Sequence, residues 1–282
     1  MLVSVYMPTK NRLPLMRKAV ASVLGQTHRD IELIVVDDGS TDESVAFLTE
    51  AAARDTRLRF IRNETSKGAQ VSRNAAIKAA QGEFLTGIDD DDEFEPYRIE
   101  AFVNFWKMLD ERGVETALLY AQDRLYSDGE AVGYTRKIGS VTERDLIARN
   151  HIGNQVFAPR QAFLDAGAFD ESMPAWHDLD LFIRLLKGDK RGRLVDVPSY
   201  RFDVSPRPDR ISSQRPRIMG AYKRLSATRA TGREKQELML QAFSPHYGFR
   251  PNLGHMVEFA ALGLWPTGLQ KMTKRLLGKN LD

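Results

Sequence analysis

Short apolar runs alternate with amphipathic segments over the first hundred residues. Residues 2–7 are almost wholly apolar and stop at Pro8-Thr9-Lys10-Asn11-Arg12. Over 14–24, Leu15, Ala19 and Val23 recur at helical spacing, with Pro14 at the start, where its missing N–H costs little. Residues 31–36 are apolar apart from Glu32 and run into Asp37-Asp38-Gly39-Ser40-Thr41-Asp42. A helix is expected over 44–54, a strand over 58–61, a helix over 68–80 and a strand over 83–88. Strand–helix alternation of this kind calls for an α/β fold, a mostly parallel sheet with helices on both faces.

Beyond residue 98 the pattern is less regular. It predicts a helix over 99–109, a strand over 117–126 closed by a turn at Asp128-Gly129-Glu130, and short helices over 145–149 and 160–166. An amphipathic helix over 176–186 and a strand over 195–202 follow. From Ser205 the texture changes, as Pro206, Pro208 and Pro216 interleave with arginines. Further helices are expected over 217–228 and 233–243, then an apolar stretch over 256–264. The division expected is a main domain over 1–205 and a basic, mainly helical extension over 206–282.

Composition narrows the classes. The 282 residues include no cysteine, which removes disulfides, thiolate metal sites and a cysteine nucleophile. No basic leader and no apolar run of about 18 residues is present, so neither a signal peptide nor a spanning helix is expected. Residues 201–282 hold 15 Lys and Arg against 6 Asp and Glu, while the rest of the chain is mildly acidic. A basic tail on an acidic body implies an anionic partner for the tail.

The candidate chemistry lies where strands end. Residues 84–88 run directly into four carboxylates, Asp89 to Asp92. Adjacent like charges repel, so the cluster implies a cation among them, and oxygen donors suit Mg²⁺ or Mn²⁺ shared with a phosphate. A solvated acidic turn is the plainer reading. Asp38 is placed to hydrogen-bond a base or ribose, although Ser40 or Asp42 capping the next helix explains that turn as well. Arg73 and Lys67 stand near a helix start, where an anion would be favoured or where both simply face solvent. Asp178 is either a reactive carboxylate or an acid favoured by its helix N-terminus, and Asp180 reads as structural.

Taken together, the segments 3–12, 34–42, 68–74 and 82–92 resemble, in order and spacing, the family 2 glycosyltransferases of GT-A fold. The resemblance covers residues 2–100 closely and 170–186 more loosely. It implies a metal-dependent, inverting transfer of a sugar from a nucleoside diphosphate donor, UDP-hexose, to a hydroxyl of a growing surface glycan such as lipopolysaccharide or exopolysaccharide. By that likeness Pro8, Thr9, Asn11, Arg12, Asp38, Lys67, Arg73, Asp89 and Asp90 lie on the nucleotide side. Asp91, with Asp89, matches the metal-binding Asp-x-Asp motif for Mn²⁺ or Mg²⁺, and Asp178 matches the base. His177 stands where the family carries Glu. Asn154, Gln155, Trp176, His177 and Arg210 fall where acceptor contacts are expected, with buried packing as the other reading of the amides and the tryptophan. Arg207 and Arg210 are expected to close over the diphosphate.

The apolar-then-basic tail, ending with Lys271, Lys274, Arg275 and Lys279, suits either an anionic membrane surface or a packed helix. The first would place the enzyme in the cytoplasm, peripheral on the inner face of the membrane. Alternatives are a degenerate sugar-nucleotide binder and a sugar nucleotidyltransferase, the latter lacking a glycine-rich loop after strand one. No nucleic-acid-reading element is evident.

Overall fold

Strand β1 (Val3–Thr9) is buried at every position and lies between β2 (Ile31–Asp37) and β4 (Phe84–Gly87), parallel to both. Strand β3 (Leu58–Arg62) adds to β2, also parallel. The computed structural model describes residues 1–205, 214–244 and 247–278. Helices α1 (Leu13–Leu24), α2 (Ser44–Arg54) and α3 (Ala69–Ala79) connect these strands, as the sequence pattern predicts. Alternate side chains feed two cores: Val3, Val5, Met7, Leu33 and Val35 go to one face, Tyr6, Ile34 and Val36 to the other. Helices α1 and α4 (Arg98–Glu111) cover the first face, and α3 and α7 (His177–Leu185) the second.

Glu32 is the polar exception within β2. Its carboxylate accepts from Ser4 Oγ and from the backbone N–H groups of Gln81 and Gly82, and it pairs with Arg59. Gly82 is required there, because a Cβ would lie 2.5 Å from Ser4 Oγ. This clasp joins β1, β2 and the approach to β4 at the edge opposite the acidic cluster.

The second half of the sheet departs from the simple parallel expectation. Its order is β3-β2-β1-β4-β9-β6-β10-β5. The three-residue β9 (Phe157–Pro159) runs antiparallel to β4 and to β6 (Leu118–Ser127). Strand β10 (Gly192–Asp203), longer than the expected 195–202, is parallel to β6 and antiparallel to the two-residue β5 (Glu93–Phe94). Strand β7 (Glu130–Tyr134) makes a hairpin with β6, and β8 (Ser140–Val141) pairs β10. The predicted turn is that hairpin: Asp128 and Gly129 have φ of 52° and 84°, the positive pair a tight two-residue connection requires.

Two short helices, α5 (Glu143–Ala148) and α6 (Arg160–Asp165), precede α7. Beyond residue 205 follow α8 (Arg215–Thr228), α9 (Gly232–Ala242), α10 (Leu253–Ala261) and α11 (Pro266–Leu276). Ile218, Leu238, Phe259 and Met272 from these helices share one continuous core with Tyr6 and Leu85 of the sheet. Among the described residues no helix is long and apolar enough to cross a membrane.

Candidate active site

Because β1, β2 and β4 are parallel, Thr9, Asp38 and Asp89 emerge at one sheet edge, the edge at which open α/β sheets bind ligands. A cavity of about 800 Å³ opens there. Pro8, Thr9, Arg12, Asp38, Arg73, Asp89, Asp90, Asp91, Asn154, Trp176, His177 and Asp178, all singled out in the sequence, line it. Asn11, Lys67 and Gln155 are not among its lining. Asn11 instead joins two turns: its backbone N–H donates to Ser40 Oγ, and its side-chain carbonyl accepts from Thr41 N–H. The buried Gln155 amide accepts from Tyr6 O–H behind β4, so it is packed rather than presented. Arg207, Arg210 and Lys279 lie outside the described residues.

Around Asp38 the polar groups are closely tied. Asp38 accepts four bonds, from Asn63 Nδ2, Ser66 Oγ and the N–H groups of Lys67 and Gly68, at 2.7–2.9 Å. Burial alone would raise its pKa, but these donors outweigh it and hold the carboxyl at about 2. Asp42 accepts from the N–H groups of Ser44 and Leu13, so it ties the starts of α2 and α1 together, although the N-cap position of α2 itself is Glu43. Asp180 ties Arg184 and Arg229 together, in keeping with its structural reading.

Among the described residues two guanidiniums pair directly with the acidic corner. Arg73, itself buried, donates to Asp89 at 2.7 Å. Arg12 reaches Asp90 at 3.3 Å and Asp91 at 3.1 Å, and Thr9 Oγ1 donates to Asp90 at 2.7 Å. Even so, burial, with Asp91 and Asp89 adding to it, pushes Asp90 up to about 6. Asp92 is also raised well above the ordinary carboxylate value, by burial and then by Asp91 and Asp89.

Asp178 projects from the first turn of α7 into the same cavity. Its Oδ1 is buried with no hydrogen-bond partner among the described residues. Burial pushes it up to about 7; Arg73 opposes the rise and Asp89 adds to it. Neighbouring His177 is held neutral, down at about 4, by burial and by the charges of Arg73 and Arg217. Trp176 starts the helix with φ of 57°, a left-handed backbone unusual for a bulky residue, and its Nε1–H donates to Tyr247 O–H at 2.8 Å.

Sequence reasoning missed several members. Tyr200 O–H donates to Asp92 at 2.7 Å, and its ring rests on the buried Arg98 guanidinium, 4.9 Å from the ring centre. That cation lies beneath the corner, yet nothing around position 98 marks it in the sequence. Ile218, Gln241 and Tyr247 carry the extension into the cavity wall, together with Asp123 and Asn150.

A family model described as "Glycosyl transferase family 2" matches residues 4–160. The chain belongs to glycosyl transferase family 2. It is 39% identical over 190 residues to the "Putative colanic acid biosynthesis glycosyl transferase WcaA" of Escherichia coli (strain K12), covering 66% of each chain. To Escherichia coli chondroitin synthase it is 30% identical over 189 residues, 65% of this chain and 26% of that one. The chain thus spans two thirds or less of the length of these curated relatives. Among solved structures, S. aureus TarS residues 1–349 in complex with UDP-GlcNAc gives a TM-score of 0.65 at 18% identity, over 98% of this chain and 82% of that one. The mannosyltransferase PcManGT from Pyrobaculum calidifontis, in complex with GDP-Man and Mn2+, gives 0.59 at 16% identity, over 98% and 80%. The fold of this family 2 member is therefore the GT-A fold its sequence resembles.

Proposed function

We propose that this family 2 member transfers a hexose-type sugar from a nucleoside diphosphate, UDP, to a hydroxyl of a growing surface glycan, with inversion at the anomeric carbon. It acts in the cytoplasm on a lipid-linked acceptor at the inner membrane face. The carrying observation is the buried, unpartnered Oδ1 of Asp178, in one cavity with Arg73 and the acidic corner.

The carboxylate takes the acceptor's hydroxyl proton as its oxygen attacks the anomeric carbon on the face opposite the diphosphate. The new bond forms as the bond to the β-phosphate oxygen breaks, and that electron pair leaves on UDP. A pKa near 7 suits this role, because the base is ionised at working pH and still accepts a proton. Arg73 faces the charge that develops on the diphosphate. Pro8, Thr9, Arg12 and Asp38 with its loop border the nucleotide, and Asn154, Trp176 and His177 border the acceptor.

A divalent cation fits the donor set. The oxygens of Asp91 and Asp89 are hard ligands, and Asp90 and Asp92, raised by burial and then by the charges of Asp91 and Asp89, crowd further carboxyl groups beside them. Among the described residues no three acids or histidines gather into a ready-made cage, so diphosphate oxygens would complete the shell. Mn²⁺ or Mg²⁺ held there would neutralise charge on the departing diphosphate.

UDP release from UDP-hexoses, followed with and without Mn²⁺, tests the reading. Metal-stimulated release that is lost in Asp91→Ala supports it, and Mn²⁺ dependence unchanged in that variant overturns the ligand role. Stabilisation by UDP with no release from any UDP-hexose would favour a binding protein, the reading prompted by His177 in place of the family's Glu.

A further inference from the structure

The outermost pair of helices carries apolar side chains on two sides. On the inner side, Gln236 Nε2 donates to the carbonyls of Phe259 and Gly263, both at 2.9 Å, and Phe259 stacks on Trp265 with ring centres 6.1 Å apart. Those contacts fix which face of α10 turns outward. Outward stand Leu253 and Val257, 75% and 70% exposed, with Ala260 and Ala261 one turn on. Leu264, in the turn before α11, is fully exposed, and Leu277 at the other end is 61% exposed. Spacings of four and three residues place 253, 257 and 260 along one line of α10, roughly 10 Å long at helical rise, and Leu264 stands exposed beyond the helix end. A contiguous exposed apolar stripe of this kind marks a contact surface rather than scattered surface leucines.

Charge indicates what the contact is. Over residues 247–278, Arg250, Lys271, Lys274 and Arg275 stand against one acid, Glu258, which accepts from Tyr222 O–H. Lys271 and Lys274 are exposed on α11, whereas Arg275 turns inward to the Leu240 carbonyl, and the Arg250 guanidinium packs beside Gly278. Leucines flanked by cations on a short helical pair match an anionic lipid surface, into which the leucines sink while the cations meet headgroups.

We propose that α10 and α11 dock this protein flat on an anionic bilayer, with Leu253, Val257 and Leu264 inserted below the headgroups. The surface supplies a physical basis for the membrane location proposed above. It also bears on the cavity: α8 holds α10 through the Tyr222–Glu258 bond and lines the cavity through Ile218, and Tyr247 lines it six residues before α10 begins. A lipid-borne acceptor would approach the cavity wall nearest the docked helices.

Co-sedimentation of the full chain with phosphatidylglycerol vesicles and with phosphatidylcholine vesicles, without any sugar nucleotide, tests this. The wild type is expected to pellet with the anionic vesicles and to be released by salt. Leu253→Glu/Val257→Glu/Leu264→Glu, with its thermal melt checked, is expected to lower the bound fraction roughly tenfold. Lys271→Glu/Lys274→Glu is expected to lower it several-fold and to blunt the salt dependence. Equal pelleting of the triple variant, or a wild type that ignores anionic vesicles, overturns the proposal. So does light scattering that shows a wild-type dimer split by the triple variant without vesicle binding, since the stripe would then join two copies. With no donor present, failure here leaves the transferase reading standing, and failure of sugar transfer leaves vesicle binding to be judged alone.

Discussion

Two carboxylates at the rim of one cavity have been driven in opposite directions. Asp38 accepts four hydrogen bonds and is held at about 2; Asp178 has a buried oxygen without a partner and is raised to about 7. Asp38 directly follows β2, and Asp178 lies in the first turn of α7. The difference lies in donors: the loop over 63–68 folds around Asp38, whereas α7 offers Asp178 little beyond its own first turn. A saturated carboxylate holds its loop in place, whereas the unsaturated one suits the base role proposed for it. The contrast assigns Asp38 the task of holding the loop over 63–68 in place.

Asp178→Asn should break the contrast most sharply. Turnover is expected to fall by about 10²–10⁴-fold, the worth of a general base, while UDP affinity measured by titration stays within about twofold. Normal turnover would remove Asp178 as the base. Asp38→Asn should do the reverse, costing about 1–3 kcal/mol of stability in urea denaturation, because donors around one oxygen lose their acceptor. A variant as stable as the wild type would show that the loop does not depend on that charge.

The two should also separate with pH. Asp38 is depressed in the fold, so its contribution is complete above its unfolded value near 4 and lost as pH falls toward 2. Asp178 is raised, so the fold holds a proton that the unfolded chain releases; its contribution erodes as pH climbs from about 4 to 7. Asp178→Asn is therefore expected to gain stability over the wild type at pH 8 and little at pH 4, while wild-type turnover rises through about pH 7. The smallest expected effect belongs to Tyr247→Phe, which removes the acceptor for Trp176 Nε1–H. It should lower turnover a few-fold with donor KM unchanged, and an altered donor KM would move Tyr247 to the nucleotide side.

The first half was legible because its strands are long, buried and apolar, and its motifs sit directly at their ends. The later half was less so for physical reasons. Strands β5, β8 and β9 have two or three residues, too few to show a period, and β7 is exposed at all five positions and so has no core-facing side to betray it. Antiparallel insertion of β9 beside β4 is a long-range choice with no local mark. In the site, Asp89 to Asp92 and Asp178 stood out as charges in place. Arg98 and Tyr247 did not, because an arginine under a tyrosine ring and a tyrosine clamping a distant tryptophan acquire their roles only when the chain has folded. Gln155, read either as an acceptor contact or as a packed amide, lies buried with its carbonyl accepting from Tyr6.

The Glu32 clasp acts as a zero mark for the sheet. Ser4 is pinned there, and Thr9 stands five residues farther along the same strand, roughly 16 Å away at ordinary strand rise. Gly82 is pinned beside it and Asp89 follows at a fixed count. The level at which the threonine hydroxyl meets the acidic corner is thus ruled off from the far side of the molecule, one pleat at a time. Inserting a single residue between clasp and rim would mis-set that level by about 3 Å and turn every later side chain to the wrong face.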